Sequence, residues 1–254
     1  VVIPSVVTTI GDGSAPIFGA DVESVVIPAS VTAIADNAFY TCTGLKSVVF
    51  ADGSQLKTIG EGAFYAANQL QSLSIPEGVT SIGQYAFAAT SKLETIDLPA
   101  SLSEVCGGMW FGNLFARGTN GAPEALTAVH IAEGNQTYCA YDGAVYSADG
   151  KTLLYCPAQK KSIEWKSGVE KIGEYAFLRS TMPSMTMPAS VTAIGANAFN
   201  RAQLTSIELP GSVKTIGSSA FFFSSVENLV LNEGLERIEA SAFSQSRVAQ
   251  VTIP

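Results

Sequence analysis

A unit of about 23 residues recurs along this chain, and that repeat constrains the fold more than any other feature. Residues 56–78 read LKTIGEGAFYAANQLQSLSIPEG and residues 79–101 read VTSIGQYAFAATSKLETIDLPAS. Residues 191–212 read VTAIGANAFNRAQLTSIELPGS, followed at 213–234 by VKTIGSSAFFFSSVENLVLNEG. Looser copies lie at 31–50, 169–190 and 235–254. The shared pattern is V-x-x-I-G-x-x-A-F, a short variable stretch, then L-x-x-I-x-I/L-P.

Each element of the pattern has a physical reason. The last two apolar residues of L-x-x-I-x-I alternate, so they face one side of a short strand. The proline after them has no N–H to donate and ends the strand. V-x-x-I supplies a second inward-facing pair on the opposite side of the coil. The glycine after it is expected at a bend of positive φ, and the A-F that follows drives an aromatic ring inward. Ile75, Ile96 and Ile207, with Phe64, Phe87, Phe199 and Phe221, are therefore expected in the core. One unit cannot bury its apolar face alone, whereas stacked units bury a continuous core. The pattern predicts a single repeat solenoid across residues 1–254, with units of about 22–25 residues.

Two stretches break the period. In 102–131 LSEVCGGMWFGNLF follows the pattern with Cys106 in place of glycine, and a Gly/Asn/Pro-rich segment then delays LTAVHI. This predicts a surface insertion loop over 112–125. Residues 133–160 contain no repeat unit; GAVYS and KTLLY flank Ala148-Asp149-Gly150, which predicts a β-hairpin insertion. SIEW at 162–165 is expected to resume the strand motif, with Trp165 in the second isoleucine position.

Composition narrows the function. The chain is 47% hydrophobic and 14% charged, the reverse of what keeps a chain unfolded. No apolar run reaches the ~18 residues that span a bilayer. A net charge of −8 argues against nucleic acid, whose phosphates demand a basic face. The cysteines Cys42, Cys106, Cys139 and Cys156 lack metal-ligand spacing. A bridge between Cys139 and Cys156 stays open, and Cys42 reads as a small buried hydrophobe. Asn135-Gln136-Thr137 matches a glycosylation acceptor, a tripeptide common by chance.

Little in the chain could carry catalysis. His130 is the only histidine, so any Ser-His-Asp or Cys-His site would have to use it. It stands at the x of I-x-I, where side chains face solvent. No phosphate-binding, dinucleotide-binding or zinc-protease motif occurs, and no cofactor or metal is expected.

The outward strand positions form two ladders. One runs Ser24, Ser47, Ser72, Thr95, Ala128, Ser162, Ser184, Ser206, Asn228, Gln250. Its neighbour runs Val26, Val49, Ser74, Asp97, His130, Glu164, Thr186, Glu208, Val230, Thr252. Stacked hydroxyls could bond between rungs, a structural role that needs no ligand; solenoids also use such faces for partners. Asp97, His130 and Glu164 are expected on successive rungs as a binding patch, with Glu208 further along and Tyr138 and Tyr141 from the hairpin region.

The unit V-x-x-I-G-x-x-A-F…L-x-x-I-x-I-P resembles the repeat of BspA-like leucine-rich-repeat proteins. The resemblance extends over nearly the whole chain and includes hairpins with a Y-x-x-D-G-x-x-Y pattern. It implies a leucine-rich-repeat right-handed β/α superhelix with one parallel sheet, short irregular or 3-10 segments on the other side, and a β-hairpin insertion. It also implies a bacterial cell-surface or secreted location, as in the Bacteroidetes, and a non-enzymatic adhesion role toward a host or cell-surface protein or glycan. A structural spacer that projects another domain is the alternative. The opening VVIP and closing VTIP match the motif that ends repeats. The chain therefore reads as trimmed, with ends expected to fray or to meet a neighbouring chain.

Overall fold

The computed structural model describes residues 1–109, 111–116 and 124–252. The chain divides into two compact units, Val1–Tyr138 and Cys139–Pro254. Each is a β-solenoid. The first runs through β1 (Thr9–Ile10), β2 (Ser24–Ile27), β3 (Ala33–Ile34), β4 (Ser47–Phe50), β5 (Thr58–Ile59), β6 (Ser72–Ser74), β7 (Ser81–Ile82), β8 (Thr95–Leu98), β9 (Glu104–Val105) and β10 (Ala128–Ile131). Its odd-numbered strands, from V-x-x-I, stack in parallel as β1-β3-β5-β7-β9. Its even-numbered strands, from L-x-x-I-x-I, form β2-β4 and β6-β8-β10.

The second unit contains β11 (Tyr138–Tyr141, opening on the last residue of the first unit), β12 (Ala144–Ser147), β13 (Thr152–Tyr155), β14 (Lys171–Ile172), β15 (Ser184–Thr186), β16 (Ala193–Ile194), β17 (Ser206–Glu208), β18 (Thr215–Ile216), β19 (Asn228–Val230), β20 (Arg237–Ile238) and β21 (Gln250–Thr252). They assemble as β11-β12-β13-β14-β16-β18-β20 and β15-β17-β19-β21. The solenoid architecture of each unit is as the sequence predicts. The single parallel sheet is corrected: V-x-x-I also pairs coil to coil, Ile34 with Ile59 and Ile59 with Ile82, so the regular coils carry two strands. Among the described residues the only helical pieces are 3-10 turns at Cys106–Gly108 and Phe111–Leu114.

Aromatic columns fill the coils. In the first unit Phe18, Phe39, Phe64 and Phe87 stack with centroids 5.3, 5.0 and 5.7 Å apart. In the second, Phe177, Phe199, Phe221 and Phe243 stack at 4.9, 4.9 and 5.1 Å. Phe64, Phe87, Phe199 and Phe221 are fully buried, and Ile75, Ile96 and Ile207 are at most 4% exposed. Each such phenylalanine contributes about 1.5–3 kcal/mol of transfer free energy.

After V-x-x-I the expected positive φ is found at Gly11, 83°, and at Cys106 in the glycine place, 55°, but at the five other glycines the reason is different. Gly60, Gly83, Gly173, Gly195 and Gly217 are absent from the positive-φ positions. A Cβ on Gly83 would lie 2.5 Å from the Glu61 nitrogen, and one on Gly217 would lie 2.6 Å from the Ala196 nitrogen. Glycine is there so that successive backbones can touch. Positive φ falls two residues later, at Asn37, Gly62, Tyr85, Tyr175, Asn197, Ser219 and Ser241.

The insertions are partly as expected. β12 and β13 pair antiparallel around the Asp149 turn, whose carboxylate accepts from Ser147 Oγ and from the Lys151 N–H. β13 then pairs in parallel with β14, so the hairpin supplies the strand that a V-x-x-I would have supplied. Of the predicted loop over 112–125, the first residues are packed. Leu114, Phe115 and Ala116 are buried, Phe115 with its ring centroid 6.4 Å from Phe87; 117–123 lie outside the described residues. Asn135 ties its turn to the coil before it, donating to the Pro99 and Leu102 carbonyls and accepting from the Thr137 and Tyr138 N–H groups. All four cysteines are free, so Cys139 and Cys156 form no bridge, and Cys42 is buried as expected.

Candidate binding surface

Alternation along β6, β8 and β10 turns Leu73, Ile96 and Val129 inward and Ser74, Asp97 and His130 outward. Pairing sets Ser74 beside Asp97 and Asp97 beside His130. His130 Nδ1 meets Asp97 Oδ1 at 2.7 Å, with both side chains 56% exposed. The order decides the chemistry. A nucleophilic triad needs histidine between serine and carboxylate. Here the aspartate is central, and Ser74 lies two rungs from His130, about 9.6 Å at the usual strand spacing. The pair cannot activate Ser74. Among the described residues no cluster of three or more His, Cys, Asp or Glu side chains could hold a metal.

The expected inter-rung hydroxyl bonds occur elsewhere. Thr32, Thr80, Ser103, Thr192 and Thr205 each donate to a carbonyl of the preceding coil. These residues precede the strands. On the outward faces the hydroxyls of Ser24, Ser47, Ser72, Ser74, Thr95, Ser184 and Ser206 have no partner among the described residues. The first unit thus presents a polar strip with one fixed pair, Asp97–His130, next to an apolar strip at Val26 and Val49, 36% and 52% exposed.

The second unit holds Glu208, Glu164 and Tyr141. Glu208 faces outward on β17 between Thr186 and Val230. Glu164 is corrected: 162–165 form no strand, and its N–H donates at 2.7 Å to Asp142 Oδ2. The same carboxylate meets Lys160 Nζ at 2.9 Å. Asp142 and Gly143 both have positive φ, and the tight turn they make aims that carboxylate. Trp165, expected as a core strand residue, donates its indole N–H to the Thr186 carbonyl on the edge strand β15. Tyr141 is 42% exposed with Lys166 Nζ 5.9 Å from its ring. Tyr138, the last residue of the first unit, is half-buried, with its ring edge-on to Phe111 at 5.3 Å, and burial raises its phenol pKa. The roles of Asp142 and Lys160 were missed, because Asp-Gly signals only a turn in sequence.

The model of the BspA type leucine rich repeat region matches residues 17–114 and 150–254 in six copies. The chain belongs to the BspA-type leucine-rich repeat family. Among solved structures, this BspA-type chain is similar to pneumococcal vaccine antigen PcpA, with TM-score 0.69 and 23% identity over 93% of this chain and 67% of that one. It is similar to a leucine rich cell surface protein from Faecalibacterium prausnitzii, with TM-score 0.50 and 26% identity over 91% and 79%. A leucine-rich repeat protein from Eubacterium ventriosum gives TM-score 0.61 and 20% identity over 92% and 73%. No curated protein matches the BspA-type chain. Among its described residues no helix is long and apolar enough to cross a membrane.

Proposed function

We propose that this chain is a non-catalytic, surface-exposed adhesion module that binds a protein partner through the outward face of β6, β8 and β10. The observation that carries the reading is the division of labour among hydroxyls. Those before the strands bond coil to coil, whereas those on the outward faces, among the described residues, bond to nothing in the chain. An exposed polar strip without intrachain work is available to a partner. The Asp97–His130 pair gives that strip its fixed feature. A cell-surface location is supported by the name of the Faecalibacterium relative.

The test is a binding screen of the whole chain against matrix and cell-surface proteins, followed by the double variant Asp97→Ser/His130→Ser. The expected result is a melting temperature nearly unchanged, since surface changes cost under about 0.5 kcal/mol, with at least about tenfold weaker binding to the captured partner. Full retention of binding, both in that variant and after deletion of the 133–160 hairpin, favours the spacer reading instead.

A further inference from the structure

A recess in the first unit, on the turns beside the aromatic column, is independent of the strand face. It is lined by Asn37, Tyr40, Glu61, Gly62, Tyr65 and Tyr85 and has a volume of about 250 Å³. Its cause is a missing side chain. Asn37, Gly62 and Tyr85 occupy the same left-handed position in three successive coils, at φ 57°, 58° and 56°. Only the middle one lacks a Cβ. An atom placed there would lie 2.8 Å from Asn37 Oδ1 and 3.7 Å from Tyr40 Cδ2. The walls are fixed by coil-to-coil bonds, Asn37 N–H to the Glu61 carbonyl and Gly62 N–H to the Gln84 carbonyl, each 2.8 Å.

The lining selects its ligand. The Asn37 amide, the Glu61 carboxylate and the hydroxyls of Tyr40 and Tyr65 have no partner among the described residues. An apolar ligand would strand these groups. No basic residue lines the recess and Glu61 does, which disfavours an anion. A quaternary ammonium ion needs aromatic faces. Tyr40 and Tyr65 each spend one face on the other, 4.7 Å apart and 9° from parallel, and Tyr40 Cδ2 is the ring atom nearest the Gly62 position. What fits is a neutral ring rich in hydroxyls, which donate to Glu61 and Asn37 Oδ1 and accept from Asn37 Nδ2 and the phenols of Tyr40 and Tyr65. The volume lies just below the ~300–1,000 Å³ of drug-sized sites, room for a single sugar ring. We propose that the recess at Gly62 is a binding site for a neutral saccharide.

Gly62→Tyr tests this directly. Tyr85 and Tyr175 already hold the same backbone position, so the left-handed φ admits a tyrosine there, and its ring is expected to fill the recess once the Asn37 amide gives way. The full chain is titrated with glucose, galactose, mannose and N-acetylglucosamine, with choline and sialic acid as charged probes, and saturation transfer is read by NMR. At least one neutral sugar should bind with Kd on the order of 1 mM and at least about tenfold more weakly in Gly62→Tyr. Asn37→Ser, a residue that Ser219 and Ser241 show to be accepted at this position, should lose binding similarly with an unchanged circular dichroism spectrum. Ser219→Tyr in the second unit should retain it. Absence of transfer from every neutral sugar, transfer that survives Gly62→Tyr, or preference for choline or sialic acid would each overturn the proposal.

Discussion

Glycine serves two purposes in this repeat that the consensus alone does not separate. Gly217 is needed for contact, since a Cβ would strike the Ala196 backbone. Gly217→Ala is expected to cost about 1–3 kcal/mol, read as a lower urea midpoint. The sequence showed where this glycine recurs, but not why, because closeness between coils leaves no trace in one coil's residue types. The cysteines act at this scale too. Burial pushes the Cys42 thiol up to about 11 and those of Cys106 and Cys156 to about 12, from an ordinary 9.0. The folded state therefore disfavours thiolate. Their contribution to stability is complete below pH 9.0 and is lost as pH rises toward 11–12. The urea midpoint should hold up to about pH 9 and fall above it, and replacing the three cysteines by alanine should flatten that alkaline limb.

Among the elements, β15 is the one whose sequence context misleads. Its inward residue Met185 is half-buried, whereas Ile207 and Leu229 on the next two strands are 3% and 2% exposed. SIEW at 162–165 has the spacing of a strand. Yet Asp142, delivered by the hairpin turn, takes the Glu164 N–H, and the Trp165 indole takes the Thr186 carbonyl. Side chains have replaced backbone partners at that edge. Trp165→Phe keeps the ring and removes the donor; it should cost about 1 kcal/mol and speed amide exchange at 184–186. The Asp97–His130 pair was legible because both residues sit on unbroken I-x-I strands in register. Glu164 was misread because no repeat pattern encodes an acceptor arriving from outside the repeat.

Within each unit, each coil rests on its sequence neighbours, so stability is close to a sum over interfaces. The phenylalanine column is the part of that sum most exposed to a single change. Phe199 touches Phe177 on one side and Phe221 on the other, and Phe199→Ala should cost about 3–5 kcal/mol. If the column transmits order, fluorescence and circular dichroism transitions of that variant should separate in urea, where those of the parent coincide. The solenoid itself was fully legible, since its period is written into the residues. Coil-on-coil growth also bears on descent. Recombination between near-identical repeats changes copy number by whole coils, and most such events leave every interface of the familiar kind. The recess at Gly62 is different, because it needs the coils of Asn37, Gly62 and Tyr85 in that order. A duplication elsewhere in the array would pass unnoticed by that recess, whereas one coil gained or lost inside the trio would erase it in a single generation.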